Sequence, residues 1–125
     1  MIDFSNASFI KLSQTSNDTY DKLIQPLLAS SEQVISTYKG IRDGIVFTNK
    51  RIIAINIQGI TGKKKDFTSI PYSKIQTFSV ESAGVFDLDS ELDIWLSGVG
   101  KVRFEFTGSS NVSEICKSIS EFVLR

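Results

Sequence analysis

At 125 residues the chain has the length of one ordinary domain, enough for a single hydrophobic core. Fourteen basic residues balance fourteen acidic ones, which argues against a dedicated nucleic-acid binder with its usual basic excess. A single cysteine excludes an intramolecular disulfide, and the lack of histidine removes the commonest general base and any histidine-based metal set.

No apolar run approaches the ~20 residues of a membrane span. The opening MIDFSNASFIKL lacks the basic start, long apolar stretch and small-residue cleavage site of a signal peptide, so a cytoplasmic location is expected. Residues 1 to 16 carry Phe4, Phe9, Ile10 and Leu12, too much apolar surface for a disordered tail. This arm is expected to pack, either on its own domain or on a neighbouring subunit. Tyr20, Leu23, Ile24, Leu27 and Leu28 then fall on one face of a helix, with Asn17 or Asp18 available as its cap. Pro26 predicts a kink or restart inside it.

From Gln33 the pattern turns to strands. Val34 to Tyr38 is the first run and Ile45 to Thr48 the second, with Asn49-Lys50 placed for a two-residue turn with a positive φ. In the third run, Arg51 to Ile57, isoleucines 53, 55 and 57 share one face while Ile52 and Ala54 take the other, so both faces are expected to be covered. Gly59 and Gly62 bracket a loop that leads into Lys63, Lys64 and Lys65. Phe67 to Tyr72 is the fourth strand, and Pro71 marks it as an edge or a strand exit. Phe78 and Val80 belong to a fifth. Leu92, Ile94 and Leu96 point inward on a sixth, joined through Ser97 to Gly100 to a seventh, where Val102, Phe104 and Phe106 alternate with charges.

Asn111 with Glu114 approximates a capping box and opens a helix whose apolar face holds Val112, Ile115, Cys116, Ile119, Phe122 and Val123. The expected architecture is mainly β: a barrel of about seven antiparallel strands in two sheets, capped by a C-terminal α-helix and preceded by an N-terminal helical segment. One domain is expected overall, with residues 1–30 as arm and helical segment and 31–125 as the barrel.

The blocks FTNKR, GITGKK, IPYSKI and FDLDSEL, in this order and followed by the terminal amphipathic helix, resemble the bacterial pleckstrin-homology-like family of small stand-alone proteins. The likeness runs from about Leu27 to the C-terminus and is looser before it. It implies a pleckstrin-homology-like barrel, a cyclic homo-oligomer and a protein-interaction role in the bacterial cytoplasm. It implies no enzymatic activity and supplies no lipid, although many eukaryotic relatives of the fold bind phosphoinositides.

Lys63, Lys64 and Lys65, with Lys50 and Arg51 at the preceding turn, are candidate anion contacts for a lipid headgroup or phosphate. The leading reading of them is solvated charge on a hairpin. Asp87, Asp89, Glu91 and Asp93 alternate into an acidic stripe. The stripe pairs either with the basic hairpin of a neighbouring subunit or, within one chain, with Lys101 and Arg103. It lacks the bend glycine of a calcium loop, and no metal or cofactor is expected. Arg42-Asp43 is a charged turn or an inter-subunit pair. Trp95 points opposite Leu92, Ile94 and Leu96, toward an outer face or a partner, although core is the commoner place for it. Tyr72 and Cys116 read as core. GITGKK is too short for a phosphate-binding Walker loop. The expected function is a non-enzymatic module that assembles into a ring and contacts an unidentified protein; the alternative is a peripheral binder of anionic lipid or phosphate through Lys63 to Lys65.

Overall fold

The computed structural model describes residues 1–125 except Asp87 and Ser109. Among these residues lie eight strands and two α-helices: β1 (Ala7–Thr15), α1 (Asp21–Ile24), β2 (Val34–Lys39), β3 (Asp43–Thr48), β4 (Arg51–Gln58), β5 (Lys64–Pro71), β6 (Ile75–Glu81), β7 (Ser90–Leu96), β8 (Gly100–Phe106) and α2 (Val112–Val123). The strands form one continuous sheet in the order β5-β4-β3-β2-β1-β8-β7-β6. Seven of them follow the runs expected from the sequence, and the fold is mainly β with a C-terminal helix, as expected. The count of seven strands and the division into two sheets are corrected by β1.

β1 is made from the arm. Its first half pairs with β8, and in parallel, through Ala7↔Val102 and Phe9↔Phe104. Its second half pairs antiparallel with β2, through Ser13↔Lys39 and Thr15↔Thr37. Between the two halves the register shifts, and Lys11 takes a left-handed φ of 54°. The bulge places Phe9 and Leu12, three residues apart, in the same core. One strand thereby joins what would otherwise be separate four- and three-stranded sheets.

The inner face of this curled sheet holds the main core. Leu12, Ile45, Phe47, Ile52, Leu92, Val102, Phe104 and Phe106 are all buried there, and α2 closes it with Ile115 and Ile119. The Asn111 side chain caps α2 by accepting the Glu114 N–H. Phe122 stacks on Tyr72 at 4.9 Å between centroids, which fixes the helix against the short 3-10 turn Tyr72–Lys74 between β5 and β6. Cys116 is half-buried on the same helix.

A second cluster covers the outer face of β3 and β4. Val46, Ile53 and Ile55 meet Tyr20 and Ile24, with Leu23, Leu28 and Ile57 packed around them. The two-faced pattern of β4 therefore has the cause expected of it. The helical segment that supplies the cover is shorter than its periodicity suggested: α1 is one turn, and Pro26 sits at the start of a 3-10 turn, Gln25–Leu27, that leaves Leu27 exposed. A side chain at Gly44 would collide with the Tyr20 ring, so glycine is required there for the segment to lie flat on β3.

The β3–β4 turn also differs from expectation, because Asn49 and Lys50 have ordinary negative φ. The turn is held by side chains. Thr48 Oγ accepts the N–H groups of Lys50 and Arg51, while Asn49 accepts the Gln33 N–H and donates to the Ser31 carbonyl. β5 and β6 are the two edges of the sheet, which agrees with Pro71 at the end of β5.

Candidate interaction surfaces

The β2–β3 turn and the β4–β5 connection emerge at the same end of the sheet, because β3 and β4 pair antiparallel from Asp43↔Asn56. Arg42 ties the two together by donating to the Gly59 carbonyl at 2.6 Å. Gly59 and Gly62 both have φ above 70° or at it, a conformation that only glycine adopts cheaply, so the connection can fold back on itself. Lys65 donates into this bend at the Gly62 carbonyl, 3.0 Å away, and Lys64 already begins β5 opposite Gln58. Lys63 stays exposed in the loop.

Two large apolar side chains share this basic tip. Ile41 is 84% exposed and Ile60 fully so. Beside them a shallow cleft of about 310 Å³ is lined by Ile10, Ile41, Arg42, Asp43, Asn56 and Ile57. Burial raises the Asp43 carboxyl above the ordinary range, against the opposing charge of Arg42.

Lys50 and Arg51 lie at the other end of β4, ~24 Å away at the usual strand rise, and do not join the lysine cluster. Lys50 is exposed. Arg51 is held internally: Nε and Nη2 donate to the two Glu32 oxygens at 2.9 and 3.0 Å, Nη1 to Ser69 Oγ at 2.8 Å, and Nη2 also to the Leu27 carbonyl at 2.8 Å. Glu32 in turn accepts the Thr48 hydroxyl and the Ala29 N–H. This fork binds the 3-10 turn, the β3–β4 turn and β5 to one another.

On the opposite half of the sheet, Asp93 and Arg103 are cross-strand partners and form two hydrogen bonds, at 2.8 and 3.0 Å. Glu91 joins the same guanidinium at 3.4 Å. Of the two pairings read for the acidic stripe, the one within the chain therefore accounts for Glu91 and Asp93. Asp87 lies outside the described residues. Asp89, half-buried, precedes β7 in the β6–β7 connection. Glu81, Glu91 and Glu105 stand in register across β6, β7 and β8, so this face is acidic overall. Trp95 is on the outer face, 48% exposed, opposite Thr77 and Lys101.

The β6–β7 connection supplies residues that the sequence reading passed over: Val85 is 86% exposed, Phe86 fully exposed and Leu88 63% exposed. Ile41 and Ile60 were missed in the same way. A signal existed in each case, since a large apolar residue stands in a turn where glycine and small polar residues usually predominate.

Between edge strand β5 and the β7–β8 hairpin the sheet does not close. Residues 1–4 cross this seam. The Ile2 N–H donates to Thr68 Oγ at 3.2 Å and the Phe4 carbonyl accepts the Lys101 N–H at 2.9 Å, with Ile2 buried. Next to them is a groove of about 390 Å³, walled by Phe4, Ile70, Pro71, Leu96 and Val99 and rimmed by Lys74.

Among the described residues no three His, Cys, Asp or Glu side chains are placed to hold a metal ion, and no helix is long and apolar enough to cross a membrane.

Residues 3–123 match the family model described as "Bacterial PH domain". The chain is similar to YjqA, an uncharacterized protein of Bacillus subtilis (strain 168), with 49% identity over 96 residues that cover 75% of this chain and 77% of that one. Its structure is similar to a DUF1696 family protein with a pleckstrin-homology domain from Shewanella loihica PV-4, at a TM-score of 0.80 and 39% identity, covering 90% of this chain and 97% of the other. It is also similar to a pleckstrin homology domain from Shewanella amazonensis SB2B, at a TM-score of 0.70 and 39% identity, covering 90% and 92%.

Proposed function

Because the chain belongs to the bacterial PH domain family, we propose that it is a non-enzymatic interaction module that assembles head to tail into a ring and contacts other proteins from it. The observation that supports this is a pair of unlike surfaces on one neutral chain. One is the basic tip, with Ile41 and Ile60 exposed among Arg42, Lys63 and Lys64. The other is the β6–β7 connection, with Val85, Phe86 and Leu88 exposed between Glu81 and Asp89. Each combines apolar area with charge, and the charges are opposite. Two different surfaces that fit each other make a heterologous contact, which closes into a ring when the rotation per copy divides a full turn.

Light scattering after gel filtration tests the reading. A species several times the 13.9 kDa chain mass is expected at micromolar concentration, and a clean monomer overturns it. The double variant Lys63→Glu with Lys64→Glu is expected to shift the protein toward monomer, and adding Asp89→Lys to restore part of the assembly.

A second reading draws on the same tip. Isoleucines at the ends of two turns, ringed by cations, suit the surface of an anionic bilayer, where each basic residue contributes about 1 kcal/mol. On this reading the protein co-sediments with anionic vesicles at low salt and leaves them as salt is raised, because the attraction is screened. Failure to co-sediment at low salt removes it.

A further inference from the structure

We propose that the groove at the open seam is a binding site for an aliphatic carboxylate, with the chain on its apolar walls and the carboxylate at Lys74. The proposal is independent of the assembly reading, because one copy of the chain supplies every wall. Those walls are Phe4, Ile70, Pro71, Leu96 and Val99. Ile70 and Leu96 also belong to the buried core, so the groove opens directly onto it. Val99 leaves a large apolar side chain 57% exposed in the β7–β8 turn, where small polar residues are the usual choice. At about 390 Å³ the groove has the size of a small-molecule pocket, and it has the usual make-up of one, mostly apolar with a few polar groups.

The wall supplied by residues 1–4 is fixed in place. The Met1 ammonium pairs with Asp66 at 2.6 Å, the Ile2 N–H donates to Thr68 Oγ, and the Phe4 carbonyl accepts the Lys101 N–H. The groove is therefore formed before a ligand arrives, and little ordering opposes binding. Charge selects the head group. Lys74 is the one charged side chain on the groove, and it makes no ion pair among the described residues. No carboxylate lines the groove, so a cationic head would find no counter-charge, while the Ser73 and Ser97 hydroxyls add donors suited to an anion. Lys74 is exposed, so the carboxylate keeps much of its hydration as the chain leaves water. The site is also separate from the basic tip, since Pro71 lies ~24 Å from Lys64 along β5 at the strand rise.

Isothermal titration of the full chain with hexanoate, octanoate and 1-octanol, all below their aggregation limits, tests the site. Octanoate is expected to bind one per chain, and each methylene added from hexanoate upward to tighten binding by up to about fourfold. Lys74→Gln is expected to weaken octanoate by about fivefold, the upper end for a charge pair open to solvent, and to leave 1-octanol unchanged. Val99→Glu sets a carboxylate in the wall and is expected to weaken both at least tenfold. Both positions are exposed, and far-ultraviolet circular dichroism verifies that the fold is kept. Lys63→Glu with Lys64→Glu, at the far end of β5, is expected to change neither ligand's affinity. No saturable octanoate binding at millimolar concentration overturns the proposal. So does binding that ignores chain length or Val99→Glu, a Lys74→Gln loss shared equally by 1-octanol, or a loss in the Lys63, Lys64 variant. None of these results bears on whether the protein assembles.

Discussion

Glu32 carries more of the fold than its position in a polar stretch suggests. Its side chain is 1% exposed, and Arg51, itself 23% exposed, supplies the counter-charge. Burial alone would raise the Glu32 carboxyl. Hydrogen bonds from Arg51, Thr48 and the Ala29 N–H, together with the Arg51 charge, outweigh burial and hold it below the ordinary range. A carboxyl lowered in the fold binds fewer protons there than in the unfolded chain. Its contribution to stability is therefore complete above the unfolded value near 4.5 and is lost as pH falls through the lower folded value. Removing one partner of a buried pair leaves the other uncompensated, so Glu32→Ala is expected to cost about 3 kcal/mol at neutral pH in urea unfolding. Below about pH 4.5 the gap between variant and wild type narrows; a gap independent of pH contradicts this assignment. None of it was legible beforehand. Arg51 read only as a cation at a turn, and ASSEQ has no periodicity to show that Glu32 points inward. The pairing exists because the Thr48–Arg51 turn folds over that segment, a tertiary fact.

At the scale of elements, the strands from β2 onward were legible because their alternation is regular and the turns between them carry glycine, proline or asparagine. β1 was not, for a definite reason. Its bulge at Lys11 breaks the period of two, so Phe9 and Leu12 point inward while Ile10 is 53% exposed. Read without the bulge, the same residues look like an arm with scattered apolar side chains. Similarly, Tyr20, Leu23, Ile24 and Leu28 do cover β3 and β4 as their spacing implied, but Pro26 divides the segment after one helical turn. The role of β1 gives a direct expectation. Leu12→Ala, fully buried where the two halves of the sheet meet, should destabilise the protein by about 3 kcal/mol. Ile10→Ala, two residues away, should cost under about 0.5 kcal/mol. Equal costs in thermal or urea unfolding would mean that β1 does not hold the sheet together as described.

For the whole molecule, neutrality conceals a division. The Lys63–Lys65 end of β4 and β5 is basic and apolar, while the β6–β7–β8 half is acidic and presents Val85, Phe86 and Leu88. The sequence showed both charge clusters. It did not show that Arg42 belongs with the lysines, that Lys50 and Arg51 lie at the opposite end, or that Arg103 engages Glu91 and Asp93 within the chain. What remains for a neighbour is narrower than the charge count implied: the two tips and the groove beside the end of β5. Native mass spectrometry of the unaltered protein at micromolar concentration tests the central claim most directly. Head-to-tail closure predicts one dominant species of fixed copy number, three or more. A monomer, or an open ladder of sizes that lengthens with concentration, would contradict it.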